Sequence, residues 1–211
     1  MIISHSKKFI FLRCRKTASA SVQQYFANYI DPEIDFAGQM TSLGFEGIND
    51  NRKLKNPHVA LQTALKERNK EYEITKDKLK DYFVFCFERN PYRKCISHYL
   101  YHHKYTEIEP HKWFKDMSFK SYIFHPSKPT DRHMYTQGAT ILANHVARFE
   151  NMDQEMEFIC KKIGVPYTGL PHLHKGQSDI VLDDWYTHEE MKKRVQQLFK
   201  WELQTFNYKY E

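Results

Sequence analysis

The sequence predicts an α/β fold, a central parallel sheet flanked by helices in three layers. Two stretches carry that prediction. Phe9-Ile10-Phe11-Leu12 is an apolar run of strand type, followed by a short loop and a helical stretch from Ser21 to Tyr29. Phe83-Val84-Phe85-Cys86-Phe87-Glu88 is apolar on both faces until its last residue. That is the pattern of a strand covered on both sides, as in a parallel sheet.

The remaining elements follow in order. Met1 to Lys8 leads straight into the first strand, so no signal peptide is expected. Asp31 to Pro57, with Gly38, Gly44 and Gly47, reads as loop with short elements. Val59 to Lys70 reads as a helix with Val59, Leu61 and Leu65 toward a core. After the second strand, Arg89-Asn90-Pro91 turns the chain into a helix from Tyr92 to Lys104, and Pro91 suits its first turn. Residues 105–135 hold Trp113, Phe114, Phe119, Tyr122 and Phe124 amid polar groups and read as an inserted lid or acceptor wall. Ile141 to Phe149 holds a short strand. Asp153 to Ile163 is helical and stops at Gly164, with Pro166 beyond. Thr187 to Phe206 reads as a terminal helix, Thr187 capping it and Glu190 at the capping-box spacing.

The chain has 211 residues, which predicts a single domain over 1–211. A domain of that size buries roughly 70% of its unfolded surface and needs no disulfide staples. Cys14, Cys86, Cys95 and Cys160 form no CxxC pair and read as buried free thiols of a reducing compartment. No apolar run approaches the ~20 residues of a membrane span. The net charge of +6 and pI near 9.0 suit an anionic partner without naming one. His102-His103 and His172-x-His174 lack the cysteine or carboxylate spacing of a zinc site, so no metal is expected.

The chemistry concentrates in Arg13-Cys14-Arg15-Lys16-Thr17-Ala18-Ser19-Ala20-Ser21. Strand, tight loop and helix is the layout that aims backbone N–H groups at an anion. Lys16 adds a point charge, and Thr17, Ser19 and Ser21 add hydroxyl donors. The stretch reads either as a phosphate cradle or as an ordinary strand-to-helix turn carrying a lysine. Two further pieces narrow the choice: Arg89-Asn90-Pro91-Tyr92-Arg93-x-x-x-Ser97 directly after the buried strand, and Arg148-Phe149-Glu150-Asn151 before a helix.

Together, in this order, the three pieces resemble the carbohydrate-type sulfotransferases that use 3′-phosphoadenosine-5′-phosphosulfate (PAPS). In loop pattern they are most similar to the uronosyl 2-O-sulfotransferases. The resemblance runs from Phe9 to the terminal helix and is thinnest in 31–55 and 105–135. It implies a P-loop-NTPase-like three-layer domain. It implies that Arg13, Arg15, Lys16, Thr17, Ala18, Ser19, Ala20 and Ser21 form the loop around the 5′-phosphosulfate, and that Arg89 and Ser97 grip the 3′-phosphate. Lys175 and Ser178 resemble the segment that closes over the nucleotide. Three departures stand in the loop: Arg15 for a usual proline, Ser19 for glycine and Ala20 for a threonine, whose hydroxyl contact is thereby lost. Glu88 stands where an apolar residue is usual. It reads as an acceptor ligand, a second base, or an ion partner for Arg15 or Arg93.

What the resemblance implies of the reaction is an in-line transfer of the sulfuryl group to an acceptor hydroxyl, with adenosine 3′,5′-bisphosphate (PAP) as product and no metal required. A lysine at the bridging oxygen stabilises the developing charge, the role implied for Lys16. The family's base histidine falls in the interval that holds His58, and the acceptor proton must go to a base. A saccharide hydroxyl is the favoured acceptor; the oligomeric state stays open. Animal members of that family are often Golgi-anchored; no anchor is read in this sequence, so a bacterial-type cytoplasmic enzyme is expected. Two other readings compete. A P-loop-type kinase wants glycines that the first loop lacks, and magnesium dependence would mark it. A basic nucleic-acid-binding protein fits the charge, but no RRM, KH, zinc-finger or helix-turn-helix signature is present.

Overall fold

The computed structural model describes residues 1–38, 58–66, 72–107, 111–171 and 180–211, and the backbone of 53–54. In chain order the elements are β1 (Ile2–Ser4), β2 (Phe9–Leu12), α1 (Ser19–Ala27), β3 (Phe36–Gly38), β4 (Lys53–Leu54), α2 (Leu61–Ala64), α3 (Lys76–Leu79) and β5 (Phe83–Glu88). There follow α4 (Pro91–Lys104), α5 (Phe119–Phe124), α6 (Arg132–Tyr135), β6 (Thr136–Gln137), β7 (Thr140–Ile141), β8 (His145–Arg148), α7 (Met152–Ile163), α8 (Leu182–Trp185), α9 (Glu189–Leu198) and α10 (Lys200–Thr205). The contacts divide them into two compact units, Met1–Glu88 with Asp131–His174, and Arg89–Thr130 with Lys175–Glu211.

The first unit holds the main sheet, in the order β4-β3-β1-β2-β5-β8. β2, β5 and β8 run parallel, with Phe11 opposite Phe85 and Phe87 opposite Ala147. The expectation of a parallel sheet needs correction at the other edge. Ile2–Ser4 is itself a strand, and it pairs antiparallel with both β2 and β3. The reason is local: four residues separate β1 from β2, and a tight turn can only return antiparallel, whereas a parallel pairing needs a long crossover. The sheet is therefore mixed, and helices flank it.

Alternation along the strands builds the core. Phe9 and Phe11 of β2, Phe85 and Phe87 of β5 and Ala147 of β8 face one side, where Val22, Tyr25 and Phe26 of α1 and Met156, Ile159, Cys160 and Ile163 of α7 pack on them. Phe11 stacks on Phe85 with ring centroids 5.2 Å apart. Ile10, Leu12, Val84 and Cys86 point to the opposite face and are equally buried. Removing one of these rings, as in Phe85→Ala, costs about 3–5 kcal/mol in a core of this kind. Asp35, fully buried, ties the β1–β2 turn to the loop that leads into β3: it accepts from the backbone N–H of His5 at 2.7 Å, of Ser6 at 2.9 Å and of Asp31 at 2.9 Å, and from the Ser4 hydroxyl at 2.9 Å.

The second unit is helical. Asn90 caps α4 by accepting from the Tyr92 N–H at 3.1 Å, and Pro91 occupies the first turn. Ser118 caps α5 through the Ser121 N–H at 3.1 Å. Tyr92, Cys95, Ile96, Phe114, Phe119, Tyr122, Tyr186, Met191, Val195 and Phe199 form its core. Phe114, Phe119 and Tyr122 of the aromatic stretch are thus core, while Trp113 and Phe124 are exposed. The expected terminal helix is two, α9 and α10, broken at Phe199; His188 and not Thr187 holds the N-cap position. α7 ends as expected, at Gly164 with φ 73°. No described helix is long and apolar enough to cross a membrane.

Candidate active site

The loop from β2 to α1 has an unusual backbone. Lys16 has φ 61° and Ala18 φ 54°, so two non-glycine residues on either side of Thr17 lie in the left-handed region. Each such residue costs of order 1–3 kcal/mol and persists only where its surroundings over-determine it. Two interactions do so here. The Thr17 hydroxyl donates to the Cys14 carbonyl at 3.0 Å. The Asp131 carboxylate, buried at the start of α6, takes the backbone N–H of Arg15 at 2.8 Å and its Nε–H at 2.9 Å.

Handedness that alternates along a turn is what turns successive N–H groups toward one concavity. Ala18 occupies the N-cap of α1, and its methyl group cannot accept from the first-turn amides as a serine or aspartate would. The first turn also carries no acidic residue. α1 starts at Ser19, two residues earlier than its expected start, so Ser19, Ala20 and Ser21 form its first turn. Thr17, Ser19 and Ser21 are buried, and Arg15, Lys16, Ala18 and Ala20 half-buried. This helix end favours negative charge.

Arg13 is buried under the loop. Its Nη1 donates to Gln23 Oε1 at 3.0 Å, and the Gln23 amide donates in turn to the Gly38 carbonyl at 2.6 Å. Its own carbonyl receives His58, Nδ1 to oxygen 2.8 Å. A carbonyl can only accept, so Nδ1 carries the proton and Nε2 the lone pair. Burial, with the Arg13 charge adding to it, lowers the His58 pKa to about 4, against the Arg13 carbonyl and Asp131, which raise it. The imidazole is therefore neutral at pH 7.

Glu88 ends β5 beside Arg148 of β8 and is buried. It accepts from the Tyr135 hydroxyl at 3.0 Å. Burial, then the Glu88 charge, pushes the Tyr135 phenol far above its ordinary range, so it stays a donor. Of the two cations proposed for Glu88, Arg15 pairs with Asp131, and Arg93 donates to the Ile180 carbonyl at 3.2 Å. The four cysteines are buried free thiols. Burial raises Cys95 to about 12 and Cys160 to about 11, and a hydrogen bond to Cys86 raises Cys14, so none of these three is poised as a thiolate.

The first unit thus brings together Arg13, Arg15, Lys16, Thr17, Ala18, Ser19, Ala20, Ser21 and His58. Arg89 and Ser97 belong to the second unit, both half-buried, Arg89 directly after β5 in the chain and Ser97 within α4. Lys175 and Ser178 lie outside the described residues. Among the described residues no group of three His, Cys, Asp or Glu side chains is placed to hold a metal ion. No motif in the sequence singles out Asp131, Tyr135 or Gln23. Asp131 holds the N-cap position of α6 but its side chain makes no cap hydrogen bond there, and nothing local marks its bond to Arg15.

A family model described as Sulfotransferase family matches residues 1–209. A protein of Archaeoglobus fulgidus, itself described as uncharacterized, is 30% identical over 94 residues, 40% of this chain and 70% of that protein. No solved structure gives a significant match.

Proposed function

The chain belongs to the sulfotransferase family, and from that premise we propose that it moves the sulfuryl group of PAPS to an acceptor hydroxyl, with a saccharide the favoured acceptor. The observation that carries the proposal is the loop before α1. Left-handed residues at Lys16 and Ala18 and a helix N-terminus without a side-chain cap supply an anion-binding concavity of main-chain donors. Those donors, with Lys16 and the flanking hydroxyls, suit a phosphosulfate.

In this reading Lys16 stabilises the charge that grows on the bridging oxygen as the sulfur–oxygen bond breaks. His58 accepts the acceptor's proton at Nε2, the nitrogen that carries the lone pair once Nδ1 donates to Arg13. Arg89 and Ser97 hold the 3′-phosphate, and Lys175 covers the nucleotide. Glu88, whose carboxylate is held by Tyr135, is the rival base. The transfer itself needs no metal. The free thiols fit a reducing compartment, so we assign the enzyme to the cytoplasm.

The test is a screen of saccharide acceptors with radiolabelled PAPS. Label is expected on a sugar hydroxyl, with PAP released in equal amount. Label on a phenol or lipid would replace the acceptor class. Absence of both label transfer and PAP binding would overturn the assignment of donor.

A further inference from the structure

Asp131 is a buried charged group at the loop, and the proposed reaction gives it no task. It is 2% exposed and grips Arg15 twice, at the main chain (2.8 Å) and at Nε (2.9 Å). Arg15 immediately precedes Lys16, the first of the two left-handed residues. Electrostatics alone argues against this placement. A buried carboxylate beside an anion-binding loop repels the anion the loop receives, and burial strengthens that repulsion. Its presence calls for a geometric benefit.

We propose that Asp131 is a positioning residue, holding Arg15–Ala18 in the anion-receiving conformation and fixing the plane of the Arg15 guanidinium. The identity of the anion rests on the sulfotransferase reading; the hold on the loop does not. The grip joins positions 116 apart in sequence, so the start of α6 sets the shape of a turn far from it. The same carboxylate acts on His58, whose protonated form it favours.

Asp131→Asn separates positioning from simple charge balance. Asparagine keeps one acceptor oxygen but sets an NH2 group against one of the two Arg15 donors, and it removes the adverse charge. A carboxylate present only to balance Arg15 would, on neutralisation, let the loop bind anions more tightly. A positioning carboxylate gives the opposite sign. Amide hydrogen exchange on the unliganded protein reads the loop without any ligand. Exchange at the Arg15 amide is expected to speed up at least tenfold in Asp131→Asn, while β2 and β5 keep their protection. Calorimetric titration with PAP is expected to show at least tenfold weaker binding. The acid limb of turnover is expected to move to lower pH, a shift that a merely looser fold would not produce. Should Asp131→Asn unfold, Asp131→Glu keeps the charge while displacing the loop, and the same weakening is expected. Unchanged exchange at Arg15, or PAP binding as tight as in the wild type, overturns the proposal. A wild-type protein that ignores PAP while Asp131→Asn still loosens the loop overturns the nucleotide reading and leaves the positioning role standing.

Discussion

His58 donates from Nδ1 to the carbonyl oxygen of Arg13 at 2.8 Å, and that bond fixes which nitrogen can take a proton. Nε2 is the basic atom, and burial with the Arg13 charge lowers the ring's pKa to about 4. The acid limb of kcat/KM, which reports the free enzyme, is therefore expected near pH 4 and not near 6.5. The limb of kcat is expected higher, because a bound polyanion favours the protonated ring. His58→Ala should cut turnover by about 10²–10⁴-fold and leave PAP affinity nearly unchanged. A near wild-type His58→Ala beside a dead Glu88→Gln would transfer the role of base to Glu88.

The same shift acts on stability. Unfolded, His58 takes its proton near its ordinary 6.5; folded, it resists until about 4. Between those values the unfolded chain binds more protons, so stability rises with pH across the window. Above 6.5 the site imposes no penalty, and as pH falls to about 4 it removes about 3 kcal/mol. Urea melts of the wild type and His58→Gln should diverge below pH 6.5, the variant losing less. Parallel pH profiles would show that the ring is not held neutral by the fold.

What the sequence made legible was local. β2 and β5 stand out because every residue along them but Glu88 is apolar, and both faces are buried. The anion loop was readable because Arg13 to Ser21 is one continuous stretch. β1 escaped because Ile2-Ile3-Ser4 is too short for a periodic signal, and the polar His5 to Lys8 separates it from the apolar run of β2. The break at Phe199 carries no glycine or proline to announce it. Asp131 and Tyr135 acquire their tasks only through partners far along the chain, Arg15 and Glu88, which no local pattern connects.

The left-handed backbone at Ala18 gives a prediction with no chemistry in it. An L side chain there costs roughly 1–2 kcal/mol that glycine avoids, less the glycine's greater unfolded entropy. Ala18→Gly is expected to raise stability by about 0.5–1 kcal/mol in denaturant melts, and Ala18→Val to lower it. A loss in Ala18→Gly would mean that the turn does not hold φ near 54° in solution.

Arg89 follows β5 and is the proposed grip on the 3′-phosphate. Arg89→Ala should weaken PAP binding by about 2 kcal/mol, roughly thirtyfold, the order of a lost charge-assisted hydrogen bond. AMP, which lacks the 3′-phosphate, should bind poorly and barely sense the substitution. Equal melting shifts with PAP and AMP in the wild type would remove Arg89 and Ser97 from the site.

Lys16 allows fold and chemistry to be separated at one position. Its backbone is left-handed, φ 61°, so the residue that suits the turn best is glycine, whereas the chemistry asks for an ammonium. Lys16→Gly is therefore expected to leave the protein as stable or more stable while turnover falls by about 10²–10³-fold, the loss typical of one oxyanion donor. Lys16→Arg keeps the charge, but its planar fork does not replace a point charge at a crowded bridging oxygen. It should retain PAP binding better than Lys16→Gly and recover little of the rate. Thermal melts, PAP titration and single-turnover transfer on the three proteins decide the matter. Full turnover in Lys16→Arg would make the lysine a general anchor for the anion, and the leaving-group charge would then have to be met by the main-chain donors of the loop.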